Sequence, residues 1–148
     1  MNIFRTISNN QDHFWMVQND LEEISQSHDL NDTYFSNISV SVFETLEYLF
    51  SEENTINEVQ VNYLSTDYKF SVKIQPVKGE MKLNERLTEV LSLVCDGFQL
   101  DKDLQALNLD FNISGMMHSK SNDRIRQFIN YSNSGQGVLR NTLTNGKN

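Results

Sequence analysis

The sequence predicts an α+β domain: a two-layer α/β sandwich in the order β-α-α-β-β-α-β-β, with a mixed, mainly antiparallel sheet and the helices on one face. Three observations carry this. Apolar residues step by three and four over 13–28, 35–49 and 87–94. They step by two over 58–64 and 68–74. Asn, Asp, Gly and Pro cluster between these stretches. Helices with one apolar stripe and strands with one apolar face bury both by stacking as two layers.

Residues 2–8 read as an opening strand through Ile3, Phe4 and Ile7, and the following Ser-Asn-Asn-Gln-Asp run supplies turn and N-cap chemistry. Phe14, Val17, Leu21 and Ile24 then mark a helix stripe from His13 to His28, with Asp20, Glu22, Glu23 and Gln26 off it. Trp15 and Met16 widen the stripe as core or rim residues. A second helix starts at a cap on Asn31 or Asp32 and ends near Ser51. Its stripe is Phe35, Ile38, Val42, Leu46 and Leu49.

Val59, Val61 and Tyr63, then Tyr68, Phe70, Val72 and Ile74, alternate with polar residues and predict an antiparallel hairpin with one buried face. Pro76, the one proline, closes it because it lacks a ladder donor. A third helix from Asn84 to Cys95 carries Leu87, Val90, Leu91 and Val94. A short strand on Phe98 and Leu100, a turn at 101–103 and a strand on Leu107, Leu109, Phe111 and Ile113 complete the domain. The domain is expected over 1–114. Residues 115–148 form a polar extension, with a short helix at 122–131 on Ile125, Phe128 and Ile129 followed by a tail.

The formal charge of −8, without a basic stripe, argues against nucleic acid and against an anionic membrane surface. No apolar run approaches bilayer length and no leader is visible, which predicts a cytoplasmic protein. Cys95 is the one cysteine, so it reads as a small buried hydrophobe and the chain has no internal disulfide. His13, His28 and His118 lie in separate segments, without the spacing of a helical metal site. Glu52, Glu53 and Glu58 read as a solvated patch.

The element order and three segments resemble the Bergerat-fold (GHKL, histidine-kinase-like) ATPase domains of the small anti-sigma-factor, serine-kinase type. The segments are LNDTYFSNISVSVFETLEYLFSEEN, EVQVNYLSTDYKFSVKI and RLTEVLSLVCDGFQLDKDLQALNLDFNI. The resemblance spans about residues 2–114. It implies a bacterial signal-transduction module that binds a protein partner, a sigma-factor-like or antagonist-like regulator, and it admits a homodimer.

Set on that family's pattern, the nucleotide motifs are degenerate. The acid of the second helix matches Glu44, but Tyr48 stands where a magnesium-binding asparagine is expected, and Glu52 where a histidine is expected. A protonated phenol is a poor ligand for Mg²⁺, which demands oxygen donors in near-octahedral geometry. Asn54 matches the closing residue. Ile74 occupies the position of the adenine-binding aspartate, Gln75 is its neighbour on the other face, and Gly79 alone follows. The phosphate-binding glycine pair reads Glu85-Arg86-Leu87, and the lid before it is reduced to VKGEMKLN. Read by itself, Glu44 is a helix carboxylate at the polar edge of the groove; the resemblance implies that Tyr48 and Ile74 fill the former pocket and that Arg86 could meet an anion.

These departures predict an inactive module that binds neither ATP nor metal and works through protein–protein contacts. Two alternatives remain open. One is a divergent serine/threonine kinase of the same fold, with ATP, Mg²⁺ and Glu44 as the catalytic acid position. The other is an unrelated α+β domain with a structural or assembly role.

Overall fold

The structure is a computed structural model and describes residues 2–113 apart from positions 11 and 29. The expected extension and its helix at 122–131 lie outside the described residues, as does His118.

Five strands and three helices follow the expected order: β1 Asn2–Ser8, α1 His13–His28, α2 Asp32–Leu49, β2 Glu58–Ser65, β3 Lys69–Pro76, α3 Glu85–Val94, β4 Gly97–Asp101 and β5 Ala106–Asn112. The sheet runs β1-β2-β3-β5-β4, and each pairing is antiparallel, where a mixed sheet was expected. β1 and β4 are therefore the edges.

Register follows from alternation. Val59, Val61 and Tyr63 pair with Pro76, Ile74 and Val72, and Phe70, Val72 and Ile74 pair with Phe111, Leu109 and Leu107. All of these side chains lie on one buried face. A one-residue slip would expose the whole set, so the hydrophobic pattern pins the pairing. The opposite face carries Gln60, Asn62, Ser71, Lys73, Gln75, Asn108 and Asp110 and stays partly open.

α2 is the middle helix of the second layer, packed against both α1 and α3. Burial extends well beyond its stripe to Tyr34, Asn37, Ser41, Glu44 and Thr45. Asn31 caps it by accepting from the Tyr34 amide at 2.9 Å, and Asn84 caps α3 in the same way from Leu87 at 2.7 Å. The hydroxyls of Ser41 and Thr45 donate back to the Ile38 and Ser41 carbonyls, which lets polar side chains sit inside.

Two apolar expectations fail, each for a local reason. Phe14 is not core: α1 buries Val17, Asp20, Leu21 and Ile24, and Phe14, Trp15 and Met16 face solvent. The helix rotates so that Asp20 points inward, where Arg5 of β1 binds it. Tyr68 is 73% exposed because the turn extends to it and β3 begins at Lys69. Cys95 is buried, as its apolar surroundings required.

Candidate functional site

Glu44 lies in the middle of α2 on the side turned to α3. That side is covered, and Glu44 is only 3% exposed rather than standing at a polar edge. A buried carboxylate needs a partner, and α3 supplies one at its second residue. Arg86 Nη1 donates to Glu44 Oε2 at 3.1 Å. Burial raises the Glu44 carboxyl above its ordinary range. Arg86 pulls it back down, and Glu47, one turn away, pushes it up.

Tyr48 follows Glu44 by four residues, hence on the same helix face. Its phenol donates to the Lys82 carbonyl at 2.8 Å, tying α2 to the link before α3. The Tyr48 carbonyl accepts from Ser51 Oγ at 2.6 Å and from Asn54 Nδ2 at 2.8 Å. Asn54 thus serves as a helix-end cap. Glu52 lies exposed in the turn between these two donors.

The link itself is held from the sheet side. Met81 is buried, and its amide donates to Gln105 Oε1 at 2.5 Å. Gln105 has φ 53° and also donates to the Lys102 carbonyl at 2.8 Å. Gly79 takes φ 102°, a conformation that side chains rarely adopt, and so lets the link turn. A groove of about 460 Å³ opens beside it, lined by Thr55, Asn57, Glu58, Val77, Lys78 and Gly79. Its lining includes none of Glu44, Tyr48, Glu52, Ile74 and Arg86.

The sequence-nominated residues therefore separate into groups. Glu44, Tyr48 and Arg86 meet along the α2–α3 seam. Ile74 lies beneath the helices in the core between Val61 and Leu107, fully buried. Gln75 is on the far face of the sheet, where its amide donates to the Leu104 carbonyl at 2.7 Å. Tyr48 does not fill a pocket with Ile74; it closes the seam through its hydroxyl. Arg86 meets an anion, but the anion is Glu44.

Among the described residues no cluster of three His, Cys, Asp or Glu side chains is placed to hold a metal. His28 bridges the Ile24 carbonyl and Ser65 Oγ, and His13 sits on the Asn10 carbonyl with its ring edge-on to Phe50. Among the described residues no helix is long and apolar enough to cross a membrane.

Sequence reasoning missed a second ion pair and a surface. Arg5 Nε and Nη2 bind Asp20 at 3.0 Å, and Asp20 is 4% exposed. Two signals were present in the sequence. Asp20 falls three after Val17 and one before Leu21, inside the stripe, and Arg5 shares the parity of Ile3 and Ile7 on β1. The surface is aromatic: Phe14 stacks on Phe43 at 4.8 Å and meets Trp15 edge-on at 5.7 Å.

No protein-family model matches the chain, and no curated protein matches it.

Proposed function

We propose that this chain is a catalytically inactive regulatory module of the Bergerat, anti-sigma-factor-like type, which acts through protein–protein contacts and does not bind ATP. The observation that carries this reading is the Glu44–Arg86 pair. The one acid in the matching position has its charge answered from within the chain, by the side chain that would otherwise greet a phosphate. Tyr48 supports the reading, because its hydroxyl proton is committed to the Lys82 carbonyl and its position offers no amide oxygen for Mg²⁺. Ile74 supports it as well: an apolar side chain in the core gives adenine no acceptor.

One feature favours the active-kinase alternative. A carboxyl raised by burial is the condition a general base needs near neutral pH. The two readings part in one titration. Calorimetry of the full chain with ATP and with ADP, each with Mg²⁺, is expected to give no heat of binding. Micromolar binding that Glu44→Ala abolishes would overturn the proposal in favour of the kinase.

A further inference from the structure

The last residue of α1 and the last residue of β2 meet at one corner of the sandwich. His28 Nε2 stands 2.6 Å from Ser65 Oγ, and His28 Nδ1 stands 3.2 Å from the Ile24 carbonyl oxygen. A carbonyl only accepts, so in the neutral ring Nδ1 carries the proton. Nε2 is then the acceptor, and the Ser65 hydroxyl donates to it. A hydroxyl held on a base, with the base oriented by a third group, is the arrangement of an activated nucleophile.

Both partners are placed by the fold. Ser65 is fixed by its pairing with Phe70 and by the turn behind it, where the Thr66 amide donates to the Lys69 carbonyl at 2.8 Å. The Thr66 hydroxyl in turn accepts from the Tyr68 and Lys69 amides. His28 is held by the carbonyl one turn back on its own helix. As its ring takes a second proton, the charge develops at the carbonyl end of α1, the favourable end for a cation. The pair opens on a cleft of about 380 Å³, lined also by Ser27, Thr66, Asp67 and Ile113. That lining contains Asp67 and no Lys or Arg, so it suits a neutral or cationic ligand better than a carboxylate.

We infer that Ser65 is an acylation site, with His28 as its base, and that it takes the acyl group of small neutral or cationic esters. Ser65 Oγ attacks the ester carbonyl carbon and gives its proton to His28 Nε2. The tetrahedral intermediate then collapses, the bond to the alcohol oxygen breaks, and His28 passes the proton to that oxygen. The products are acyl-Ser65 and the free alcohol, and no oxidant or reductant is consumed. The cleft lining includes none of Glu44, Tyr48 and Arg86, so the assignment does not depend on what the α2–α3 seam binds.

The test treats the full chain with p-nitrophenyl acetate at neutral pH and reads the peptides by mass. Wild type is expected to carry a stoichiometric acetyl group on the peptide that holds Ser65, released by hydroxylamine as an ester is. Ser65→Ala should abolish it. His28→Gln, which can still hydrogen-bond but has no ring base, should slow its appearance by about 10²-fold. Diisopropyl fluorophosphate on the wild type checks the nucleophile without any variant, and Ser65 should be the serine it labels. Acetyl groups on lysines alone, with Ser65 unlabelled by both reagents, would overturn the inference. So would acetylation of Ser65 at an equal rate in a folded His28→Gln, since the contact would then only tie α1 to β2.

Discussion

Arg86 Nη1 stands 3.1 Å from Glu44 Oε2, and this one contact joins the first turn of α3 to the centre of α2. Arg86 keeps much of its side chain in solvent, whereas Glu44 does not. The pair is therefore asymmetric. Removing the arginine strands a buried charge, and removing the carboxylate strands little.

Arg86→Ala is accordingly expected to cost about 2 kcal/mol, discounted from a fully buried pair because the guanidinium is partly solvated. Glu44→Gln should cost less. Urea denaturation of both single variants and the double variant measures the coupling, and additive costs would show that the contact is not an interaction.

The pH dependence of the same pair has a definite sign. The Glu44 carboxyl titrates above its ordinary 4.5 in the folded chain, so the folded chain holds that proton more tightly than the unfolded one. Its contribution to stability is fully present below about pH 4.5 and is lost as pH rises through the folded value. Wild-type stability should thus decline relative to Glu44→Gln as pH rises from about 4.5. Parallel pH profiles would contradict the assignment.

Ile74 and Gln75 are neighbours on opposite faces of β3, and aspartate tests them as a pair. Ile74→Asp puts a carboxylate between Val61 and Leu107 and is expected to cost about 4 kcal/mol or more. Gln75→Asp loses one hydrogen bond, to the Leu104 carbonyl, and should cost about 1 kcal/mol. Equal costs in chemical denaturation would contradict the register.

Arg5→Ala leaves Asp20 buried beside Val17 and Leu21, at an expected cost of about 2 kcal/mol. Asp20→Asn should be milder. Thermal unfolding of the two variants in parallel gives the comparison, and the reverse ranking would contradict the view that the arginine's main task is to answer the buried Asp20 charge.

Tyr63 is fully buried and its hydroxyl has no hydrogen-bond partner among the described residues. Burial, with Asp20 nearby, drives its ionisation well above the ordinary phenol range. Tyr63→Phe removes that unpaired group and is expected to leave stability unchanged or raise it by about 1 kcal/mol. A large loss in urea denaturation would reveal a buried partner for the hydroxyl.

The elements were legible because periodicity and caps agree: Asn31 and Asn84 start helices whose stripes begin within a turn of them, and Pro76 ends a strand that alternates without error. The rotation of α1 was not legible from its own stripe. Phe14 and Asp20 compete for the inward side, and Arg5, fifteen residues from Asp20, decides between them. The burial of Glu44 was hidden for the same reason. One helix reports one stripe, while a helix flanked by two others is enclosed on three sides, and only assembly shows that. Gln75 was placed correctly on the far face because strand parity is a local property. Arg86 was nominated as a residue that could greet a phosphate-like anion, and the sequence does not say that it pairs with a carboxylate forty-two residues away.

The sheet order also sets a timetable. Ser8 faces Glu58 across the β1–β2 ladder, fifty residues along the chain. During synthesis the first strand leaves the ribosome long before β2, its ladder partner among the described residues, exists, whereas α1 and α2 can form locally in the interval. Phe4 and the β1 amides must therefore wait in water until β2 emerges. A slow or stalled chain is at greatest risk of aggregation in that window, through a strand that is harmless once Glu58–Ser65 arrives.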